Sequence, residues 1–200
     1  MKTLLVVKSS LFNGSGQSSK LVQRFADQWR RQNPGGRVIC RDLAADPLPH
    51  LSAEAFKGFG LAAEERSPAQ HAATLISDSL IAELKQADAV AIGLPMYNFT
   101  VPSTFKAWMD HVARVGISFE YTESGPRGLL DNKPVYVFAA RGGHYQGSAA
   151  DTQTGLVRTF LGFIGLNDVE FVYAEGLAMG EQAAAQALTE AGEQIERLAA

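Results

Sequence analysis

The 200 residues contain a single cysteine, Cys40. One thiol forms no intrachain disulfide and no cysteine-based zinc set. Inside the apolar stretch VICRDL it reads as a small buried hydrophobe in preference to a reactive thiol. Histidine is sparse, with His50, His71, His111 and His144 scattered without ligand spacing, so no metal site is expected. Positive charge is not in excess: 18 Lys and Arg face 21 Asp and Glu, net −3, which argues against a nucleic-acid or anionic-membrane surface. Long hydrophobic runs are also missing. The opening MKTLLVVKSS is interrupted by Lys8, too early for a secretory signal, and no stretch approaches membrane-spanning length. A soluble cytoplasmic protein is the expectation. Without repeats, linkers or low-complexity tracts, residues 1–200 read as one domain long enough for a sizeable core.

What is present is an alternation of short apolar runs and amphipathic stretches. TLLVV (3–7), VICRDL (38–43), ADAVAIGLP (87–95), KPVYVFAA (133–140) and VEFVYAEG (169–176) read as five buried strands. Helices are predicted between them. The first follows Ser18 or Ser19 as cap and carries Leu21, Val22, Phe25 and Trp29, until NPGGR stops it. Others span about 68–86, 103–114, 151–164 and 181–199. Residues 44–66 read as an excursion with one short helix, and ISFEYT as an edge strand or hairpin. This order specifies an α/β fold: a doubly wound, five-stranded parallel sheet with helices on both faces. Ligands of such sheets bind beyond the carboxyl ends of the strands, near the point where strand order reverses.

The loop KSSLFNGSGQSSK holds Gly14, Gly16 and five serines and runs into a helix start, where unpaired N–H groups favour phosphate. It is not a P-loop, because Lys20 follows Ser19 and no Ser or Thr follows Lys20. A dinucleotide loop would need glycine where Ser19 stands, although Asp42 lies near the spacing of a ribose-binding acid. A monophosphate held by serine hydroxyls and amides, or a merely flexible connection, are the other readings. After the third strand, PMYNF (95–99) sets large side chains on the lip of the sheet, and ARGGHYQG (140–147) follows the fourth strand. A flat heteroaromatic with a phosphate tail would pack against the lip and admit the backbone of Gly142 and Gly143 to its edge. Plugging the sheet end or forming a subunit contact is the alternative.

KSS with GQSS, PMYNF, RGG, TFLGFIG and the EG at 175–176 together resemble the landmarks of the FMN-dependent NADH-azoreductases, relatives of the flavodoxin-like NAD(P)H:quinone oxidoreductases. The resemblance covers essentially the whole chain and implies a flavodoxin-like fold. It places Ser10, Gly16, Gln17 and Ser18 around an FMN phosphate. Met96, Tyr97, Asn98 and Phe99 would lie along the isoalloxazine, with Ala140, Arg141, Gly142 and Gly143 at its pyrimidine side. The Asn98 backbone would lie near the ring atom that accepts hydride. Gly16 and Ala140 depart from the serine frequent at each place, and a lost hydroxyl would weaken FMN retention.

With FMN, no protein nucleophile, acid or base is required. NADH or NADPH would reduce the flavin and leave before a quinone, azo compound or nitroaromatic enters, and each azo bond would take two such rounds. His144 and Tyr145 are candidates to assist beside the RGG loop. The resemblance also implies a homodimer with the active site between subunits, where Tyr121, Phe163 and Phe99 line the substrate pocket. Phe56 and Phe59 read as core, with a rim or lid as the second reading. A one-electron carrier is the rival function, disfavoured by the modest charge and by the extra segments at 44–66 and 117–132. A phospho-receiver lacks its clustered acids, and no G-x-S-x-G turn supports a hydrolase.

Overall fold

A computed structural model describes residues 1–198. Strands β1 (Thr3–Lys8), β2 (Arg37–Asp42), β3 (Ala89–Pro95), β6 (Val135–Ala140) and β7 (Val169–Ala174) form one parallel sheet in the order β2-β1-β3-β6-β7. Strand order reverses between β1 and β3, so their carboxyl ends frame the crevice expected of a doubly wound sheet. Strands β4 (Phe119–Thr122) and β5 (Gly125–Gly128) form a separate hairpin, in agreement with the alternation of ISFEYT.

Alternation along the strands divides the core. Leu4 and Val6 face helices α1 (Gln17–Gln32) and α6 (Glu181–Leu198), while Leu5 and Val7 face α3 (Pro68–Gln86), α4 (Ser103–Val112) and α5 (Thr152–Phe163). Trp108 and Phe105 of α4 stack at 5.2 Å between ring centroids and are fully buried. Helix starts follow local chemistry. Ser67 and Gln70 form a reciprocal capping box with Pro68 in the first turn of α3, and Asp151 accepts from the Thr154 N–H to begin α5. The expected last residue of α6, Ala199, lies outside the described residues. Among those described, no helix is long and apolar enough to cross a membrane.

The structure corrects four expectations. Strand β2 is an edge strand, half exposed along its length, because only β1 pairs with it. Cys40 is therefore exposed, not buried. Residues 44–66 contain the anticipated short helix, α2 (Ala53–Phe59), but Phe56 is 67% exposed. Phe59 packs beside the ring of His111 and under the Arg114 guanidinium, apart from the two main core clusters. Neither Ser18 nor Ser19 caps α1: Gly16 is its N-cap, and both serines lie within the first turn.

Candidate functional site

At the switch point, Gly93 of β3 lets the start of α1 settle onto the sheet. A Cβ there would meet the Ser18 carbonyl at 2.9 Å and Val22 at 3.0 Å. The first internal bond of the helix is Lys20 N–H to the Gly16 carbonyl, which leaves the amides of Gln17, Ser18 and Ser19 without acceptors among the described residues. The Ser18 and Ser19 side chains are buried, yet their Oγ atoms also have no partner. Orphan hydroxyls are costly to bury, and with the free amides of the same helical turn they are donors of the kind that an anion satisfies. Gly16 is required by space: a Cβ would meet Ser10 Oγ at 2.1 Å and Ser10 Cβ at 2.8 Å. A serine at 16 would displace Ser10, so here the missing hydroxyl makes room for another. Asp42 belongs to a different structure, accepting the Ala44 and Ala45 N–H groups in its own turn. That use of its carboxylate removes the spacing argument for a dinucleotide site.

The lip is a tight hairpin. Tyr97 and Thr100 exchange backbone hydrogen bonds of 3.1 Å in each direction, and the two residues between them, Asn98 and Phe99, both have positive φ (49° and 69°). Two consecutive positive φ values are the signature of a type I′ turn, which Asn accepts readily and Phe does not. Phe99 points outward, 53% exposed, and packs edge-to-face with Tyr145, the ring centroids 5.7 Å apart. Tyr97 turns the other way, its hydroxyl 3.4 Å from Ser10 Oγ and accepting the Leu11 N–H at 3.3 Å. The serine loop and the aromatic lip thus touch through one phenol. An apolar cleft of about 550 Å³ opens beside them, lined by Leu11, Tyr97, Val101, Pro102 and Leu156 among others.

The third loop is built on Arg141, whose side chain is fully buried. Its guanidinium donates to Glu175 (3.0 Å), Asp151 (2.9 Å), Thr154 (2.9 Å) and Gln153 (3.2 Å) and lies over the Tyr173 ring. Glu175 also receives the N–H groups of Tyr145 and Gln146, each at 3.0 Å. So the Arg141 side chain points inward and shapes the loop from behind. The amides of Gly142, Gly143 and His144 donate to no acceptor among the described residues, while the Gly142 and Gly143 carbonyls take the N–H groups of Ala178 and Gly176. His144 is exposed, its Nδ1 4.0 Å from Glu175, beyond hydrogen-bond reach.

Burial pushes the Asp151 carboxyl up, but the Thr154 N–H and hydroxyl together with Arg141 outweigh it and hold the group below the usual carboxylate range. A carboxyl that titrates lower in the folded chain stabilises fully above roughly pH 4, and that contribution is lost as pH falls through the folded value. Asp151→Asn is therefore expected to flatten the acid limb of stability against pH, checked by denaturation of both forms between neutral pH and the acid transition.

The sites expected from sequence are not all brought together. Ser10, Gly16 to Ser18, Met96 to Phe99 and Ala140 to Gly143 converge at the carboxyl ends of β1, β3 and β6, where Pro95 pairs with Ala140 in register. Tyr121 and Phe163 join a different group, linked through Phe119, whose ring is 5.5 Å from Tyr121 and 4.2 Å from Phe163. Phe163 ends the helix whose first turn contacts the lip, so it stands roughly 15 Å from Gln153 at 1.5 Å per residue. Asp151 and Gln153 have no place in the sequence reading, and Glu175 enters it only as part of the EG landmark, without a role. The legible signal for Gln153 was a polar residue on the stripe it shares with Val157 and Leu161, each buried at four-residue intervals.

A family model described as a flavodoxin-like fold matches residues 1–199. The FMN-dependent NADH:quinone oxidoreductase of Cellvibrio japonicus (strain Ueda107) is 49% identical over 197 residues, covering 98% of each chain. The protein of the same name from Alcanivorax borkumensis is 50% identical over 192 residues, 96% of this chain and 97% of that one. Among solved structures, the azoreductase from Bacillus anthracis str. Sterne superposes with a TM-score of 0.91 at 27% identity, covering 100% of this chain and 99% of its own. The fold and these full-length matches agree: the chain belongs to the flavodoxin-like family and, within it, to the family of the FMN-dependent NADH:quinone oxidoreductases.

Proposed function

We propose that this chain is an FMN-dependent oxidoreductase that takes electrons from NADH and reduces quinones, with azo compounds and nitroaromatics as further acceptors. The observation that carries the proposal is the pair of buried, unpartnered hydroxyls of Ser18 and Ser19 beside free amides at the start of α1. Unpaired donors at a helix start, where the backbone carries partial positive charge, suit a phosphate. The relatives named above support the cofactor, the reductant and the acceptor class.

Ser10, the Gly16–Ser19 turn and its amides would hold the phosphate. Met96 to Phe99 would flank one side of the ring system, and the loop from Ala140 to Gly143 its edge. FMN, when bound, supplies the two-electron carrier between NADH and the acceptor. The residues of the three loops would orient that carrier, and the apolar cleft beside Tyr97 would admit the substrates. The unpaired amides of Gly142, Gly143 and His144 form a donor set suited to negative charge developing at the edge of a ring. His144 and Tyr145 flank that set, and Tyr145 steadies Phe99 by edge-to-face contact. NADH and the acceptor would use the cleft in turn, a ping-pong order. NADH as reductant suits the cytoplasm.

The aromatic group of Tyr121, Phe119 and Phe163 would complete the pocket of a second copy, giving a homodimer with its active sites between subunits. Exposed Tyr121 is what recommends this, since within one chain it has no lip to serve. Tyr121→Ala is expected to raise the quinone KM about 2–10-fold, the loss of one aromatic contact, with the FMN Kd unchanged. Steady-state kinetics beside flavin-fluorescence titration checks both halves.

A comparison of FMN with riboflavin tests the cofactor assignment. Riboflavin, which lacks the phosphate, should bind at least about 100-fold more weakly, as expected when several charge-assisted hydrogen bonds are lost. Equal affinities would refute the serine cradle.

A further inference from the structure

The proposed function leaves unexplained how a phenylalanine is held at φ 69° on an exposed lip. Backbone strain of this kind persists only where surrounding structure over-determines it. The determinants are on the first turn of α5. Thr152 Oγ1 donates to the Phe99 carbonyl at 2.6 Å. Gln153 Nε2 donates to the Pro95 carbonyl at 2.9 Å and to the Thr100 carbonyl at 3.3 Å, so it grips the hairpin at both of its feet. Its other amide atom, Oε1, accepts from Arg141 Nε at 3.2 Å. Gln153 is fully buried, and through Arg141 and Glu175 its connections reach the Tyr145 and Gln146 amides.

We propose that Gln153 is a positioning residue: one buried amide fastens the strained Asn98–Phe99 turn to the Arg141 loop, so that the two walls of the flavin site behave as one rigid unit. The chemistry of a primary amide suits the task. It offers donors to two carbonyls and an acceptor to a guanidinium at once, which no apolar or acidic side chain of that size does. Two of its three contacts are to backbone carbonyls, which only accept, and the third is to a guanidinium, which only donates, so the amide has one orientation that satisfies them all. A rigid site also loses less freedom when a ligand binds. This inference rests on the flavin reading for its consequence, but not for its geometry.

The test uses two variants and amide hydrogen exchange on the full chain, first without FMN. Gln153→Met removes both connections; Thr152→Val, at an exposed position, removes only the bond to the Phe99 carbonyl and keeps the test open should the first variant fail to fold. Gln153→Met is expected to speed exchange at least about tenfold at Tyr97 and Thr100, and also at Tyr145 and Gln146, with β1 amides little changed. Thr152→Val is expected to affect Tyr97 and Thr100 alone. With flavin added, Gln153→Met should weaken FMN binding about tenfold and raise the quinone KM more than it lowers kcat. Exchange at the four amides that rises only in step with β1 would mean a merely structural role and overturn the proposal. Loosened loops with unaltered FMN affinity and kinetics would overturn it too. A wild-type chain that retains no FMN would instead defeat the flavin reading, and the exchange pattern would then decide the coupling of the two loops by itself.

Discussion

Ser18→Ala and Ser19→Ala are each expected to raise the FMN Kd about 10–100-fold while leaving the flavin-free chain as stable as before, or more so. The two signs come from one observation. A buried hydroxyl without a partner costs the flavin-free chain its desolvation, and alanine removes that cost. The same hydroxyl, given a phosphate oxygen, makes a hydrogen bond to a charged group worth about 1.5–3 kcal/mol, roughly tenfold to a hundredfold in affinity. Substitutions that only disturb packing lower stability and affinity together. Thermal denaturation with and without FMN, beside fluorescence titration, separates the cases. Loss of stability in the flavin-free variants without loss of FMN affinity would mean that the serines serve the core.

Arg141→Met should have the largest effect on stability, about 3–5 kcal/mol, because it strands the Asp151 and Glu175 carboxylates in a buried site. The guanidinium is wholly inaccessible, so solvent does not screen the loss. Its partners hold the start of α5 and the Tyr145 and Gln146 amides, so the loop above should loosen as the global stability falls. Asp151 would then titrate higher, having lost the guanidinium and kept its burial. Equilibrium unfolding in denaturant measures the change. A loss below about 1 kcal/mol would mean that the pair is worth no more than a surface ion pair, and that the loop is held by its backbone alone.

Most of the architecture was legible in the sequence because strands buried on both faces leave continuous apolar runs, as TLLVV and AVAIGLP do. Edge position leaves no such trace. VICRDL has the composition of a core strand, and only the sheet order shows that Cys40 faces solvent. Phe56 misled for a similar reason: aromatic content predicts burial on average, and the short α2 turns this ring outward. Ser18 and Ser19 resembled helix caps because caps are what serines at helix starts usually are. The structure instead gives capping to Gly16 and leaves both hydroxyls unpartnered, a departure from local preference of the kind that marks a binding site.

The site itself was half readable. PMYNF and RGG stand in the chain as contiguous words, and their convergence follows from β3 and β6 being neighbours. The machinery behind them is dispersed. Arg141, Asp151, Gln153 and Glu175 come from the end of a strand, the start of a helix and a loop, and nothing in their spacing announces one network. Likewise the strain at Phe99 is invisible in composition, since phenylalanine does not advertise a left-handed turn as glycine does.

The measurement closest to the central claim is an anaerobic titration of the FMN-loaded protein with NADH, followed by a quinone, watching the visible absorbance of the flavin. Bleaching should be complete at one equivalent of NADH per flavin, with full recovery on adding one equivalent of quinone. Retained FMN that NADH does not bleach would contradict the oxidoreductase reading and point to an electron carrier; a chain that retains no FMN would contradict the account at its root.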